Sequence, residues 1–139
     1  MNSALRQLGQ DMVGLATGYQ QSGDSTSAQA ALQMTVNLGQ RVNAPDGPTA
    51  VGRLVGMNIE SIAFNAMDPA SPFGDAGQTV QDQMNQLAQQ RTALMELGKQ
   101  FSSVASTMSD QDWINYRDRE WAFGQTVAQQ WAISKYGQH

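Results

Sequence analysis

Residues 12–34 read MVGLATGYQQSGDSTSAQAALQM, and the spacing of their apolar side chains decides the fold. Met12, Leu15 and Tyr19 step by three and four, and Leu5 and Leu8 extend the series backwards, so all five lie on one face of a helix. Gly23 supplies a residue that can close a helix C-terminus in the left-handed region, and Asp24 or Ser25 can cap the next helix. Ala28, Ala31, Leu32, Thr35 and Leu38 then form a second stripe, with Gly39 near its end. Two amphipathic helices joined by a glycine turn fold back on each other.

The same period continues through the chain. APDGP (44–48) is a breaker, and Pro48 suits the first position of a third helix. That helix is apolar on most sides (Val51, Leu54, Val55, Met57, Ile59, Ile62, Phe64, Met67), which marks the most buried helix of a bundle. Gly52 and Gly56 form a GxxxG pair that lets a neighbour approach closely, while Arg53, Asn58 and Glu60 rule out a membrane dimer. DPASPFG (68–74) is a second loop. Positions 80, 84, 87, 91, 94, 98, 101, 105 and 108 then alternate steps of four and three along a long fourth helix. Arg91 falls within this seam and should meet a carboxylate, Glu60 first, or run its stem out to water. Ser109 and Asp112 have the spacing of a capping box and start a fifth helix. The expectation is an all-α, five-helix antiparallel bundle with helices near 3–22, 25–43, 48–67, 77–107 and 110–136. The whole chain, 1–139, reads as a single domain, or as a fragment of a longer protein.

Composition narrows the function classes. The chain has 139 residues, enough for one core burying roughly two thirds of the unfolded surface. Charged residues make up only 14%, and glutamine carries much of the polarity, with pairs at 20–21, 89–90 and 129–130. A net charge of −4 gives no basis for nucleic-acid binding. With Lys99 and Lys135 as its only lysines, the chain has no basic patch for an anionic membrane, and no apolar run reaches a membrane span of about 18 residues. No cysteine is present, so disulfides and thiolate chemistry are excluded. A Gln-rich, Lys-poor surface leans towards an exported protein if the chain is a trimmed domain. Its compartment is otherwise open.

Within 12–34, Tyr19, the Leu15–Ala16 pair, Gly23, Ala28 and Leu32 fall on the tyrosine, Leu-Gly, turn-glycine, small and large positions of the tetratricopeptide (TPR) pattern. This stretch resembles one TPR-like helical hairpin, with Met12 in place of the usual tryptophan and Ala16 in place of the usual glycine. The resemblance covers about 30 residues over 12–40 and does not recur at a spacing of 34. It implies close-packed helices and a groove able to hold a peptide. More loosely, Gly23-Asp24, Ala28 and Leu32 followed by Pro48 and LVGMNIESIAFNAM (54–67) look like a pattern in helical bacterial proteins, which implies a fold and no activity.

Catalytic chemistry finds few candidates. The single histidine, His139, is the last residue, and nucleotide-binding and nucleophile-elbow motifs are absent. Glu60 is the one acid inside the apolar third helix, with Arg53 two turns earlier on nearly the same face. Asp110 and Asp112 read as helix caps. No metal or cofactor is expected, and the chain reads as a non-enzyme.

Binding remains, in two forms. The fifth helix carries six aromatics; Trp113, Trp121 and Trp131 are expected to anchor the core, so that Trp121→Ala would cost about 3–5 kcal/mol. Tyr116, Arg117, Arg119 and Phe123 step along one flank as a candidate surface for a protein partner, a second copy of the chain included. The alternative is a small-molecule pocket between helices three and five, lined by Arg53, Glu60 and Trp121 together with methionine. A closed apolar cavity would favour the pocket, and a solid core with exposed aromatics the interaction module.

Overall fold

The computed structural model of the protein describes residues 2–44 and 49–137. It is all-α, with α1 (Asn2–Gln21), α2 (Ser25–Val42), α3 (Ala50–Asn65), α4 (Val80–Ala105), α5 (Asp110–Phe123) and α6 (Gln125–Tyr136). The described residues hold six helices where five were expected.

The helix ends follow local chemistry. Gly23 takes φ +84° and ends α1, after which the Asp24 carboxylate accepts the Ser27 N–H at 3.0 Å and caps α2. Thr49 caps α3 through the Gly52 N–H; the expected start at Pro48 lies outside the described residues. The fourth helix begins at 80 rather than 77 because Gly77 has φ +85° and Thr79 is extended, forming a capping box with Asp82. The connection before it is compact: Phe73 N–H donates to Gln78 O and Val80 N–H to Ser71 O, and the Phe73 ring meets Phe64 edge-on at 5.2 Å. Ser109 and Asp112 form the expected box at the start of α5.

Three helices make the first half. Gly9 lies against Ile59, and Ala16 shares an apolar cluster with Ala28, Leu32, Ala66 and Met67, so α1 and α3 run in the same direction with α2 reversed between them. The α2 stripe holds Ala28, Ala31, Leu32, Thr35 and Gly39 as expected, but Val36 takes the core place expected of Leu38, which is only partly buried and lines the groove with α1. In α1, however, Gly9 and Ala16 are buried while Leu8 and Leu15 are about half exposed. The cause is close approach: a Cβ at Gly9 would sit 3.3 Å from Ile59 Cγ2, so α1 reaches α3 through its smallest residues and its leucines fall to the edges.

Among the glycines of the described residues, the closest approach between helices joins α2 to α3. A Cβ on Gly39 would lie 2.6 Å from Glu60 Cγ and 2.8 Å from Gly56 O, and one on Gly56 would meet Gly39 O at 2.6 Å and the Asn43 backbone nitrogen closer still. The backbones therefore touch at Gly39 and Gly56. Gly56 is the member of the GxxxG pair that makes the crossing, whereas Gly52 meets only its own cap residue, Thr49.

The long α4 joins two cores. Its first half packs Val80, Leu87 and Leu94 with Val36, Met57, Ala63 and Phe64. Beyond it, Val104 and Met108 pack with Tyr116, Ala128 and Ala132, bordered by Phe101, Trp113 and Trp131. Arg91 is exposed and donates to Asn58 Oδ1 at 3.2 Å, so its stem runs to water and its partner is an amide instead of Glu60.

The expected fifth helix is broken at Gly124, whose φ of +93° no helix accommodates. A continuous helix would set residues 112 and 135 about 35 Å apart, yet Lys135 Nζ lies 2.6 Å from Asp112 Oδ1. Thus α6 folds back along α5. This reversal also changes which aromatics are inward: Tyr116 is buried, stacked on Phe101 at 4.9 Å, while Trp121 is 93% exposed and anchors nothing.

The glycine crossing gives the first prediction. Gly39→Ala and Gly56→Ala should each lower unfolding free energy by about 2–3 kcal/mol through overpacking of two backbones. Gly14→Ala and Gly98→Ala, where an added methyl meets nothing within 4 Å, should raise it by about 0.5–1 kcal/mol. Urea denaturation midpoints of the four variants check both signs.

Candidate functional site

The glycine crossing sets Glu60 at the inner wall of a cavity. With no side chain on Gly39, the Glu60 stem passes between α2 and α3, leaving the residue 5% exposed. The cavity has a volume of about 480 Å3 and opens among α2, α3 and α4. From α2 and its end come Gln40 and Asn43, from α3 Arg53 and Glu60, and from α4 Gln83, Gln86, Leu87 and Gln90. Its walls are mostly polar.

Asn43 organises this wall. Its Nδ2 donates to Glu60 Oε2 at 3.2 Å and to Gln90 Oε1 at 3.4 Å, while its Oδ1 accepts from Arg53 Nε at 3.4 Å. Arg53 and Glu60 thus share one amide without pairing directly. Among the described residues the ion pair is Asp112–Lys135, far along the chain. Burial pushes the Glu60 carboxyl above its ordinary value, and the Asn43 hydrogen bond opposes that shift only in part.

The expected pocket residues divide. Arg53 and Glu60 line the same cavity, but it lies against α2 and α4 rather than between helices three and five, and Trp121 takes no part in its lining. The reason is the Gly124 break, which turns Trp121 outward. Three glutamines of α4 and Asn43 complete the site in its place. Composition singled out glutamine, and the α4 positions 83, 86 and 90 step by three and four, which is the signal that could have found them.

The expected partner surface divides as well. Arg117 and Phe123 are exposed, but Tyr116 is buried at 5% exposure and Arg119 is half-buried. The Arg119 guanidinium stacks 4.2 Å from the Trp131 ring centroid and donates to Asn115 O, so it knits α5 to α6. Burial, followed by the Glu120 charge, pushes the Tyr116 hydroxyl up to about 12. The Lys135 ammonium holds Asp112 below the usual carboxylate range, against the opposing effect of burial. These four residues do not share one surface.

The outward face of α5 carries apolar residues of its own. Ile114 and Trp121 are seven residues apart, with Arg117 and Asp118 between them, and all four are exposed. Phe123 and Val127, also exposed, flank the Gly124 corner. Gln125 Oε1 accepts the Ala50 N–H at 2.7 Å, which brings that corner to the start of α3, beside exposed Val51. A separate apolar groove of about 350 Å3 lies between α1 and α2, lined by Leu8, Met12, Met34 and Leu38 with Asn37 and Arg41.

Among the described residues no group of three or more His, Asp or Glu is placed to hold a metal, and His139 lies outside them. Nor is any described helix long and apolar enough to cross a membrane.

Glu60 yields a signed pH dependence. Its carboxyl ionises less readily folded than unfolded, so its charge costs no stability below the ordinary value of 4.5. The cost appears as pH rises through 4.5 and is complete above the raised folded value. Glu60→Gln, which keeps an acceptor for Asn43, should match the parent below about pH 4 and become more stable than it on the way to pH 7. Unfolding free energies across that range test the sign; equal curves, or a parent that gains on the variant as pH rises, would refute it.

No protein-family model, curated protein or solved structure matches the chain, so the reading of its sites rests on geometry.

Proposed function

We propose that the protein is a non-catalytic helical module that binds a protein partner through the outward face of α5. The observation that carries this reading is Trp121, 93% exposed on a helix whose inward face is already filled. A tryptophan left in water forgoes the largest burial gain of any side chain, and Trp and Arg side chains dominate the energetics of protein interfaces. Ile114 lies two turns before Trp121 on the same face, and Arg117 sits between them.

A second surface is carried by the groove between α1 and α2. Exposed Leu8 and Met34 rim it, and methionine adapts to varied partners. The TPR-like character of this hairpin belongs to the proposal: it is the pattern in which such a groove would accept a peptide.

Trp121→Ala tests the α5 reading in two ways. Unfolding free energy should stay within about 0.5 kcal/mol, as for an exposed site. Association should weaken by about 2 kcal/mol or more, the range of an interface hot spot. Photo-crosslinking from position 121 in the native host, with Leu8→Ala as the groove control, identifies the surface used. A chain that gives no crosslink from 121, or a Trp121→Ala protein that loses several kcal/mol of stability, would end the proposal.

A further inference from the structure

The cavity among α2, α3 and α4 holds two opposite charges that do not neutralise each other. Glu60 is more than nine-tenths buried, yet only its Oε2 is engaged among the described residues, by Asn43. Arg53 spends its Nε on the same asparagine, and its side chain lines the cavity as well. A direct Arg53–Glu60 pair would satisfy both at once. Asn43 instead holds the two apart, one at each end of a single amide, with remaining donors and acceptors left to the cavity. Opposite them, α4 presents the amides of Gln86 and Gln90, while Gln83 spends its Nε2 on Gln78 Oε1 at 2.8 Å and Phe73 O at 3.4 Å and leaves its carbonyl oxygen as an acceptor.

We propose that this cavity is a binding site for a small zwitterion of the free-amino-acid class, its ammonium held by Glu60, its carboxylate by Arg53 and its remainder by the amides of Gln86 and Gln90. The pairing of charges selects the ligand. A dianion such as phosphate would be repelled by Glu60, and a simple amine by Arg53. A neutral polyol would use the amides but neither charge, leaving unexplained why a buried carboxylate and a guanidinium share one cavity. The volume of about 480 Å3 lies within the usual range for small-molecule sites and leaves room for a side chain beyond the ammonium and carboxylate. An ammonium placed against the Glu60 carboxyl would favour its charged form and oppose the upward push of burial. The glycine crossing of α2 and α3 fixes the Glu60 stem, so the carboxylate is positioned before a ligand arrives. This site is independent of the α5 surface.

Isothermal titration of the full chain with glycine, L-serine and L-glutamine tests the proposal. Glycolate, which lacks the ammonium, ethanolamine, which lacks the carboxylate, and glycerol, which lacks both, serve as matched controls. At least one amino acid should bind with a dissociation constant in the millimolar range or below, and each control at least about tenfold more weakly, the loss expected for one charged hydrogen bond. Glu60→Gln should erase the preference for the amino acid over the hydroxy acid. Arg53→Gln should erase the preference for it over the amine. Should Arg53→Gln fold poorly by circular dichroism, Gln86→Ala, at an exposed position of α4, should still weaken the amino acid about threefold or more. Absence of amino-acid binding at millimolar concentration, controls that bind equally well, or variants that leave the preferences intact would each overturn the assignment.

Discussion

Two glycines, one on α2 and one on α3, bring backbones into contact, and much of the molecule is arranged around that meeting point. Gly39 and Gly56 leave no space for even a methyl group between them. Helices usually approach to 8–10 Å, with side chains interdigitating; here the separation is set by main-chain atoms. The consequence is positional. Glu60, one turn beyond Gly56, threads past Gly39 and is fixed by it, and Asn43, one turn beyond Gly39, is brought within reach of both Glu60 and Arg53. A polar network in a low-charge protein thus depends on two missing side chains.

The remaining architecture divides around α4. Its first half completes a core with α2 and α3, and beyond it the chain completes another core with α5 and α6. Between them the helix turns exposed residues, Arg91 included, to solvent. The second core is aromatic, with Phe101, Trp113 and Tyr116 stacked in offset and edge-on pairs. Such pairs gain from both area and ring electrostatics, which suits a hairpin with few aliphatic residues to bury. Asp112 with Lys135 and Arg119 with Trp131 then tie α5 to α6 along their length.

Much of this was legible in the sequence, and the failures share a cause. Most of the α2 stripe (Leu38 excepted), the central position of α3, the Ser109–Asp112 box and the close-approach glycine were readable, because each rests on local spacing or on one residue's chemistry. The α1 face was misread by about one position, since hydrophobic period favours Leu8 and Leu15 whereas tertiary packing selected Gly9 and Ala16. Large residues signal a buried face only when the partner helix is at ordinary distance. The break at 124 was missed because a lone glycine inside a helical pattern is often tolerated, and nothing nearby in sequence reports the pull of Lys135 towards Asp112. With the break missed, Trp121 was assigned to the wrong side. Of the cavity, Arg53 and Glu60 were found by their spacing on one helix, while Asn43 and the α4 glutamines belong to other helices and needed the fold.

The reversal at Gly124 has a topological meaning. With two dihedral angles in the helical range there, residues 110–136 would form a single rod about 40 Å long, and Ala128 and Ala132 would be carried away from Val104 and Met108 of their own chain. A second copy of the chain would offer the same pockets, so a straightened arm would be free to exchange between two chains. The positive φ of one glycine therefore keeps the last helix against the core of its own chain.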